Sequence, residues 1–345
     1  MRAVITEEQE MLRTTARRLA ERMRVNTPAD IAGIDSDKSW RALAEAGFLG
    51  MRARDGGAPM SSGVDVMFAV EELAAALAPA PFVGALLATE LLALASAPST
   101  LIDAVVNGEA RYGIALTRQL DGLADLNSLK GAVCFGVEGA EAVLALKRDG
   151  KALRIVVLPL SEARVLDGAD PTRRLSELEE GVTAGEVVGD ALSQDALDRW
   201  TALALSLVCA DIVGAMRQGL TDSVEYAKTR IQYDVPIGSF QAVQHMLAEM
   251  LVQTEAAASV TRYAAWSVDE LDPAESLLAA RTAKAYCGAA AQALGEALMQ
   301  SYGGIGQTWE HVAHLRTRRA LLDRALFGDE SYQLLQIADA RMGRG

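Results

Sequence analysis

Tyr226-Ala-Lys-Thr-Arg230-Ile-Gln-Tyr-Asp-Val-Pro236-Ile-Gly238-Ser-Phe240-Gln241-Ala-Val-Gln244-His245-Met-Leu-Ala-Glu-Met250 is the stretch on which the fold turns. A helix closes near Arg230, and Pro236 and Gly238 break the chain behind it. A second helix opens near Ser239 and carries an apolar stripe at Val243, Leu247, Met250 and Leu251. A guanidinium therefore stands at one helix end, facing a tight reversal, beside the free backbone donors of the next helix. That arrangement suits an anion. Taken alone, the stretch predicts a helical hairpin whose corner fits a phosphate.

Outward from this hairpin, the 345 residues are half hydrophobic and only 5% aromatic, which favours a mainly helical protein with a sizeable core. The net charge is −13, from 46 acidic and 33 basic side chains. A nucleic-acid partner needs a basic face, so that class is excluded. Cys134, Cys209 and Cys287 sit far apart in apolar runs, without metal-ligand or disulfide spacing, and read as reduced core residues. The N-terminus turns acidic and helical at once, unlike a signal peptide. The run from Phe82 to Ala97 is interrupted by Glu90 and is too short to cross a bilayer. These features predict a cytoplasmic chain without membrane insertion.

Three regions follow from the patterning. Residues 1–110 read as a helical domain of about five helices, opening on a capping box at Thr6-Glu-Glu-Gln9. Residues 111–190 carry short apolar runs separated by Gly, Asp, Lys and Pro. Within them, Ala142–Leu146 and Leu153–Leu158 flank Asp149-Gly150 as a β-hairpin, predicting a small antiparallel β-domain. Residues 191–345 return to helix. Ser193, Asp272-Pro273 and Gly303-Gly304 punctuate a predicted four-helix bundle whose last member breaks at Phe327-Gly328-Asp329. The fold class is mainly α with a small β-domain.

Two motifs carry a resemblance. Tyr226, Arg230, Pro236-Ile-Gly238, Phe240-Gln241 and the helix with His245 and Ala-Glu-Met250 resemble the acyl-CoA dehydrogenase signature. Gln300-Ser-Tyr-Gly303-Gly304-Ile-Gly306, followed by Glu310, resembles its downstream companion. The resemblance implies a helical N-terminal domain, a β-domain and a C-terminal bundle. It implies FAD as cofactor and α,β-dehydrogenation of an acyl-CoA thioester: a carboxylate removes the α-proton and the flavin accepts the β-hydride. It further implies an electron-accepting flavoprotein as partner, a homo- or heterotetramer, and a place in lipid or steroid catabolism.

By the same resemblance, Arg230, Gln241, Gln300, Gly303 and Gly304 touch the FAD diphosphate and adenosine of a neighbouring subunit. Their chemistry agrees. Arg pairs with phosphate in forked geometry, and paired glycines let a nucleotide lie on bare backbone. Read singly, Arg230 is also a solvated helix-end charge, Gly303-Gly304 a helix C-cap and Gln300 a surface residue. The family's C-terminal Glu position falls on Gly328. Other branches place the base on the first bundle helix before an Arg, which here reads Asp198-Arg199. Asp198 is thus the candidate base with Arg199 beside it, and Asp329 the alternative; Asp198 also reads as an ordinary first-turn acid and Asp329 as a solvated loop acid.

In the β-domain, two family stretches hold the flavin ring. Only Thr117 approaches the first pattern, and the second, aromatic-Ile-Thr/Ser, is missing. The alternative function is therefore a non-catalytic subunit completing the FAD site of a fuller partner. His245 reads as a packing residue. His311 and His314 lack a metal-site spacing, and no metal is expected. Glu310 and Arg316–Arg319 read as structural pairing.

Overall fold

The computed structural model of the chain describes residues 5–150, 152–160, 163–178 and 185–343. The first four residues of the opening segment read for a targeting signal therefore lie outside the described residues. Helices come first: α1 (Glu7–Glu21), α2 (Ser36–Glu45), α3 (Gly63–Ala75), α4 (Phe82–Leu94) and α5 (Ser99–Val106). The capping box at the head of α1 forms as the sequence predicts, with Gln9 N 3.2 Å from Thr6 Oγ1 and Thr6 N 3.2 Å from Gln9 Oε1. Ser62 does the same for α3 with Asp65. The run from Phe82 is α4, nearly all of it buried.

Two short strands, β1 (Arg54–Asp55) and β2 (Ala58–Pro59), pair between α2 and α3. The main sheet is built from β3 (Tyr112–Leu116), β4 (Val133–Phe135), β5 (Ala142–Asp149), β6 (Ala152–Pro159), β7 (Ala163–Val165), β8 (Ser176–Leu178) and β9 (Glu186–Leu192). The predicted hairpin is β5–β6, closed by Asp149-Gly150 with Gly150 at φ +60°.

The sheet is not purely antiparallel, as the patterning led one to expect. Its strand order is β7-β8-β4-β3-β5-β6-β9, and β3 runs parallel to β5. The cause is a short crossover. β4 runs back along β3 until Phe135 faces Ile114, and residues 136–141 then pass round the start of β3, so that Ala142 pairs with Tyr112. Gly113 and Gly136 make this passage sterically open: a Cβ on Gly113 would lie 2.5 Å from the Phe135 carbonyl oxygen. Alternation divides the sheet's faces. Ile114, Leu116, Phe135, Leu144 and Ile155 join the main helical core, while Ala115, Cys134, Val143, Ala145 and Val156 form a second, smaller core.

The bundle comprises α6 (Gln194–Thr229), α7 (Gln241–Glu270), α8 (Pro273–Tyr302), α9 (Ala313–Ala325) and α10 (Glu330–Met342). Between α6 and α7 lie β10 (Ile231–Gln232) and β11 (Val235–Pro236). The expected fourth long helix is two helices of 13 residues, α9 and α10. Phe327 at φ +61° and Gly328 at φ +85° stop the first, and Asp329 caps the second.

The central element is α6. Among the described residues it alone is long and apolar enough to cross a bilayer, but 89% of that apolar window is buried inside the protein. It runs in register with α8. Ser223 Oγ lies 2.9 Å from Ser301 Oγ, and the Tyr226 and Tyr302 rings meet at 4.8 Å. Both helices therefore end at the same place, where α7 begins. All three cysteines are buried and free.

Candidate functional site

The corner where α6 and α8 end and α7 starts gathers the residues named from the two motifs. Arg230 follows α6, its N–H donating to Tyr226 O at 2.8 Å and its carbonyl accepting from Ile237 N at 2.8 Å. The side chain is exposed, and among the described residues it has no hydrogen-bond or ion-pair partner. Lys228, by contrast, is held by Glu225 at 2.6 Å. Gln241 is the first residue of α7, and Gln300 lies three residues before Gly303 near the end of α8; both are exposed. Gly303 takes φ +59° and ψ −140°, a conformation open essentially to glycine. A Cβ on Gly303 or Gly304 would meet nothing within 4 Å, so this is bare, open backbone.

The electrostatics are mixed. Two helix C-termini bring partial negative charge, while α7 brings an N-terminus without a side-chain cap. The free Arg230 cation decides the local preference for an anion. The loop itself is a two-residue hairpin turn between β10 and β11. Tyr233 and Asp234 sit at φ +52° and +63°, and Tyr233 is 88% exposed.

Behind the corner, the His311 ring packs on Tyr302 at 4.3 Å, and its Nδ1 accepts from Ala313 N at 3.2 Å. Burial, and secondarily His314, hold its pKa below the ordinary 6.5, against a smaller opposite pull from Asp222. Because the folded value is the lower one, the neutral ring contributes stability above pH 6.5, and this is lost as pH falls through the folded value. We expect His311→Phe to flatten the fall in melting temperature between pH 7 and pH 5. Parallel wild-type and variant curves would assign that fall to other groups.

Of the remaining candidates, Asp198 lies at the other end of α6, while Asp329 and the Thr117 turn adjoin Gly328, whose carbonyl is held by Lys284 of α8. Asp198 is half-buried, and its Oδ1 accepts from Gln194 Nε2 at 2.7 Å. Arg199 does not support it. The Arg199 guanidinium donates to the Val268 and Leu271 carbonyls, at 3.2 Å for Leu271, and so staples the end of α7. Asp329 is the N-cap of α10, accepting from Tyr332 N at 3.0 Å. Thr117 donates its hydroxyl to the Asp121 carboxylate, and the same turn docks on Gly328, whose N–H donates to Leu120 O at 3.1 Å. Asp329 thus lines a cavity of about 370 Å³ together with Asp121, Arg324 and Tyr332. A second cavity of about 320 Å³, between the start of α4 and the end of β4, contains none of the residues singled out from the sequence.

At 1.5 Å per residue, the 32 steps from Asp198 to Arg230 span about 48 Å. Asp198 is therefore beyond the reach of a single dinucleotide held at Arg230, whereas Asp329 follows Gly328, whose carbonyl is held by Lys284, and the 16 steps from Lys284 to Gln300 along α8 span about 24 Å. Against an FAD molecule, the Arg230 corner fits a diphosphate: a free guanidinium, open glycine backbone and two exposed amides. The Thr117 end fits a flavin ring poorly, because its hydroxyl is already committed to Asp121.

Sequence reading missed the strongest buried chemistry. Arg173, between β7 and β8, donates to Asp211 on α6 and to Asp323 on α9. Arg319 pairs with Asp170 at 2.8 Å and reaches Asp211 at 3.4 Å. Burial opposes the Arg173 charge, but Asp211, Asp323 and Asp170 more than restore it, raising its pKa. Burial pushes Asp323 well up. Asp211, a lone acid in the apolar run Val208–Val213, was the available signal. Of the predicted pairing cluster, Arg316 meets Asp222 at 3.2 Å and Arg319 joins the network above, whereas Glu310 is exposed and takes no part. His245 is exposed and not a packing residue. Among the described residues no group of His, Cys, Asp and Glu is placed to hold a metal.

Comparison with known proteins adds three findings. The model of the acyl-CoA dehydrogenase N-terminal domain matches residues 6–98, and that of the C-terminal domain residues 206–342. The acyl-CoA dehydrogenases FadE34 and IpdE2 of Mycobacterium tuberculosis are 32% and 31% identical over 341 and 323 residues, covering 93% and 91% of this chain. This chain spans 46% of the length of FadE34 and 91% of that of IpdE2. The ChsE4-ChsE5 complex from the same organism shares the fold, with a TM-score of 0.80 over 99% of both chains at 21% identity.

Proposed function

This chain belongs to the acyl-CoA dehydrogenase family, a family of FAD-dependent oxidoreductases, and from that premise we propose that it serves as one subunit of an oligomeric flavin-dependent acyl-CoA dehydrogenase. Its contribution is the diphosphate half of a flavin site shared with a neighbouring chain. One observation carries the reading: Arg230 stands exposed and unpaired at a corner whose backbone is bare glycine, about 48 Å along α6 from Asp198.

Arg230 would pair with the diphosphate, Gly303 and Gly304 would lie under the adenosine, and Gln241 and Gln300 would donate amide hydrogens beside them. When bound, FAD supplies the acceptor for hydride leaving the acyl chain. The α-proton needs a carboxylate. Asp198 and Asp329 are the proposed groups, yet each is engaged as a helix-start acceptor, and Arg199 is turned away from Asp198. This favours a partner chain as the source of the base. A fuller acyl-CoA dehydrogenase subunit is the partner of matching chemistry, and the complex named for ChsE4 and ChsE5 is consistent with such pairing.

Arg230→Ala in the purified assembly tests the proposal. A charge-assisted phosphate contact contributes about 1.5–3 kcal/mol, so FAD affinity should fall by about 10- to 100-fold. The melting temperature of the FAD-free chain should not move, because the side chain has no hydrogen-bond or ion-pair partner among the described residues. Unchanged FAD content would remove Arg230 from the cofactor site.

A further inference from the structure

We propose that Cys209 on α6 and Cys287 on α8 form a peroxide-sensitive dithiol, which two-electron oxidation converts into a disulfide clamping the two helices together. The helix register places them. α6 and α8 run the same way and end together, and Ser223 and Ser301, 78 residues apart, meet across the seam at 2.9 Å. Cys209 and Cys287 are the same 78 residues apart and stand 14 residues, or two heptads, earlier on each helix. The layer between holds Met216 and Leu294, both buried. The seam thus brings the two sulfurs to one layer, and there they are hydrogen-bonded to each other.

Their surroundings give the two thiols unequal roles. Cys287 Sγ lies 3.4 Å from Thr261 Oγ1 and 3.8 Å from Ala257 O, both on α7. As a thiol it donates to that carbonyl; as a thiolate it accepts from Cys209 and Thr261. Lys284, one turn before Cys287 on α8, adds positive charge beside both sulfurs. Its buried ammonium is fixed there by Arg324 O at 2.7 Å and Gly328 O at 2.8 Å. The hydrogen bond from Cys209 leads in holding the Cys287 pKa below an ordinary thiol's, against burial, while burial pushes Cys209 well up. Cys287 is therefore the attacking sulfur and Cys209 the resolving one.

Hydrogen peroxide balances the reaction. The Cys287 thiolate attacks one peroxide oxygen and the O–O bond breaks. The released hydroxide takes back the proton that Cys287 gave up and leaves as water. The Cys209 sulfur then attacks the Cys287 sulfenic acid. The S–O bond breaks, the Cys209 proton departs with the hydroxide as a second water, and the S–S bond forms. Two thiols are oxidised and one peroxide is reduced to two waters. Both sulfurs are fully buried, which admits a small neutral oxidant and shuts out a bulky one such as oxidised glutathione. Cys134 lies apart, in the second core of the sheet, its thiol pushed up to about 12 by burial.

Intact mass and peptide mapping of the purified full chain test the proposal. Hydrogen peroxide should lower the mass of the reduced chain by about 2 Da, the loss of two hydrogens, with the Cys209 and Cys287 peptides joined and Cys134 free. Oxidised glutathione should change nothing. The bridge closes a long loop, so the melting temperature should rise by about 5 °C and fall back on adding dithiothreitol. Cys209→Ala should abolish both changes, and its Cys287 peptide should instead gain oxygen, which marks the attacking sulfur. Cys287→Ala removes the bridge equally if the first variant does not fold. A chain that peroxide leaves unbridged, a disulfide that includes Cys134, or a glutathione adduct on either residue would overturn the proposal.

Discussion

Arg173→Met is expected to cost the chain about 3–5 kcal/mol of folding stability, the range for removing one partner of a buried ion pair. Methionine keeps most of the stem volume, so the loss reads the charge and not a cavity. What remains is three carboxylates, Asp170, Asp211 and Asp323, facing one guanidinium, Arg319, with almost no access to water. Asp323 Oδ2 already lacks a partner. The pH dependence has a definite sign. The folded pKa of Asp323 is raised by burial, so protonating it relieves the variant, and the loss should shrink as pH falls below that value. Urea unfolding at pH 8 and pH 5 measures both quantities. A variant within about 1 kcal/mol of wild type at pH 8 would show that these charges are solvated in solution.

Gly214→Val should be comparably severe for a different reason. Gly214 is where α6 crosses α3. An added Cβ would overlap the Glu71 carbonyl oxygen and lie 2.8 Å from Ala74 Cβ. Both obstacles belong to a helix that cannot turn a side chain aside, so α3 must move away from α6. Overpacking costs about 1–3 kcal/mol and occasionally more. With backbone as the obstacle, we expect the upper end of that range, or insoluble protein. Gly304→Ala is the control: its Cβ meets open space, and the urea midpoint should not change. Equal midpoints for Gly214→Val and wild type would mean that α3 and α6 are not in contact as described.

The parts of this fold that were legible share one property: they are specified within a few residues. Thr6, Ser62, Ser193 and Asp272 announce their helices by capping, and Asp149-Gly150 announces its hairpin. The α6–α7 half of the Arg230 corner was legible for the same reason, since Arg230, Pro236, Gly238 and Gln241 lie within 11 steps of one another, whereas Gln300 and Gly303-Gly304, about 60 residues on, were placed there by the family resemblance alone. What escaped depends on distance along the chain. The parallel β3–β5 pair arises because the chain passes round a strand end, which alternation alone does not encode. The partners of Arg173 are 38 and 150 residues away, so no local pattern announced them. Asp198-Arg199 misled in the opposite way. Adjacency in sequence suggested a working pair, but neighbours on a helix point apart, and Arg199 serves the end of α7 instead.

The turn at Tyr233-Asp234 carries a last consequence. Each residue holds a left-handed backbone that is unfavourable for a side chain by about 1–2 kcal/mol. Asn-Gly would take the same turn with little strain. Selection for stability alone would favour that replacement, yet an aromatic side chain stands there, turned almost wholly to solvent. Within the single chain the Tyr233 ring meets Phe240 edge-on at 6.3 Å and stays exposed, so burial does not offset the strain of the turn.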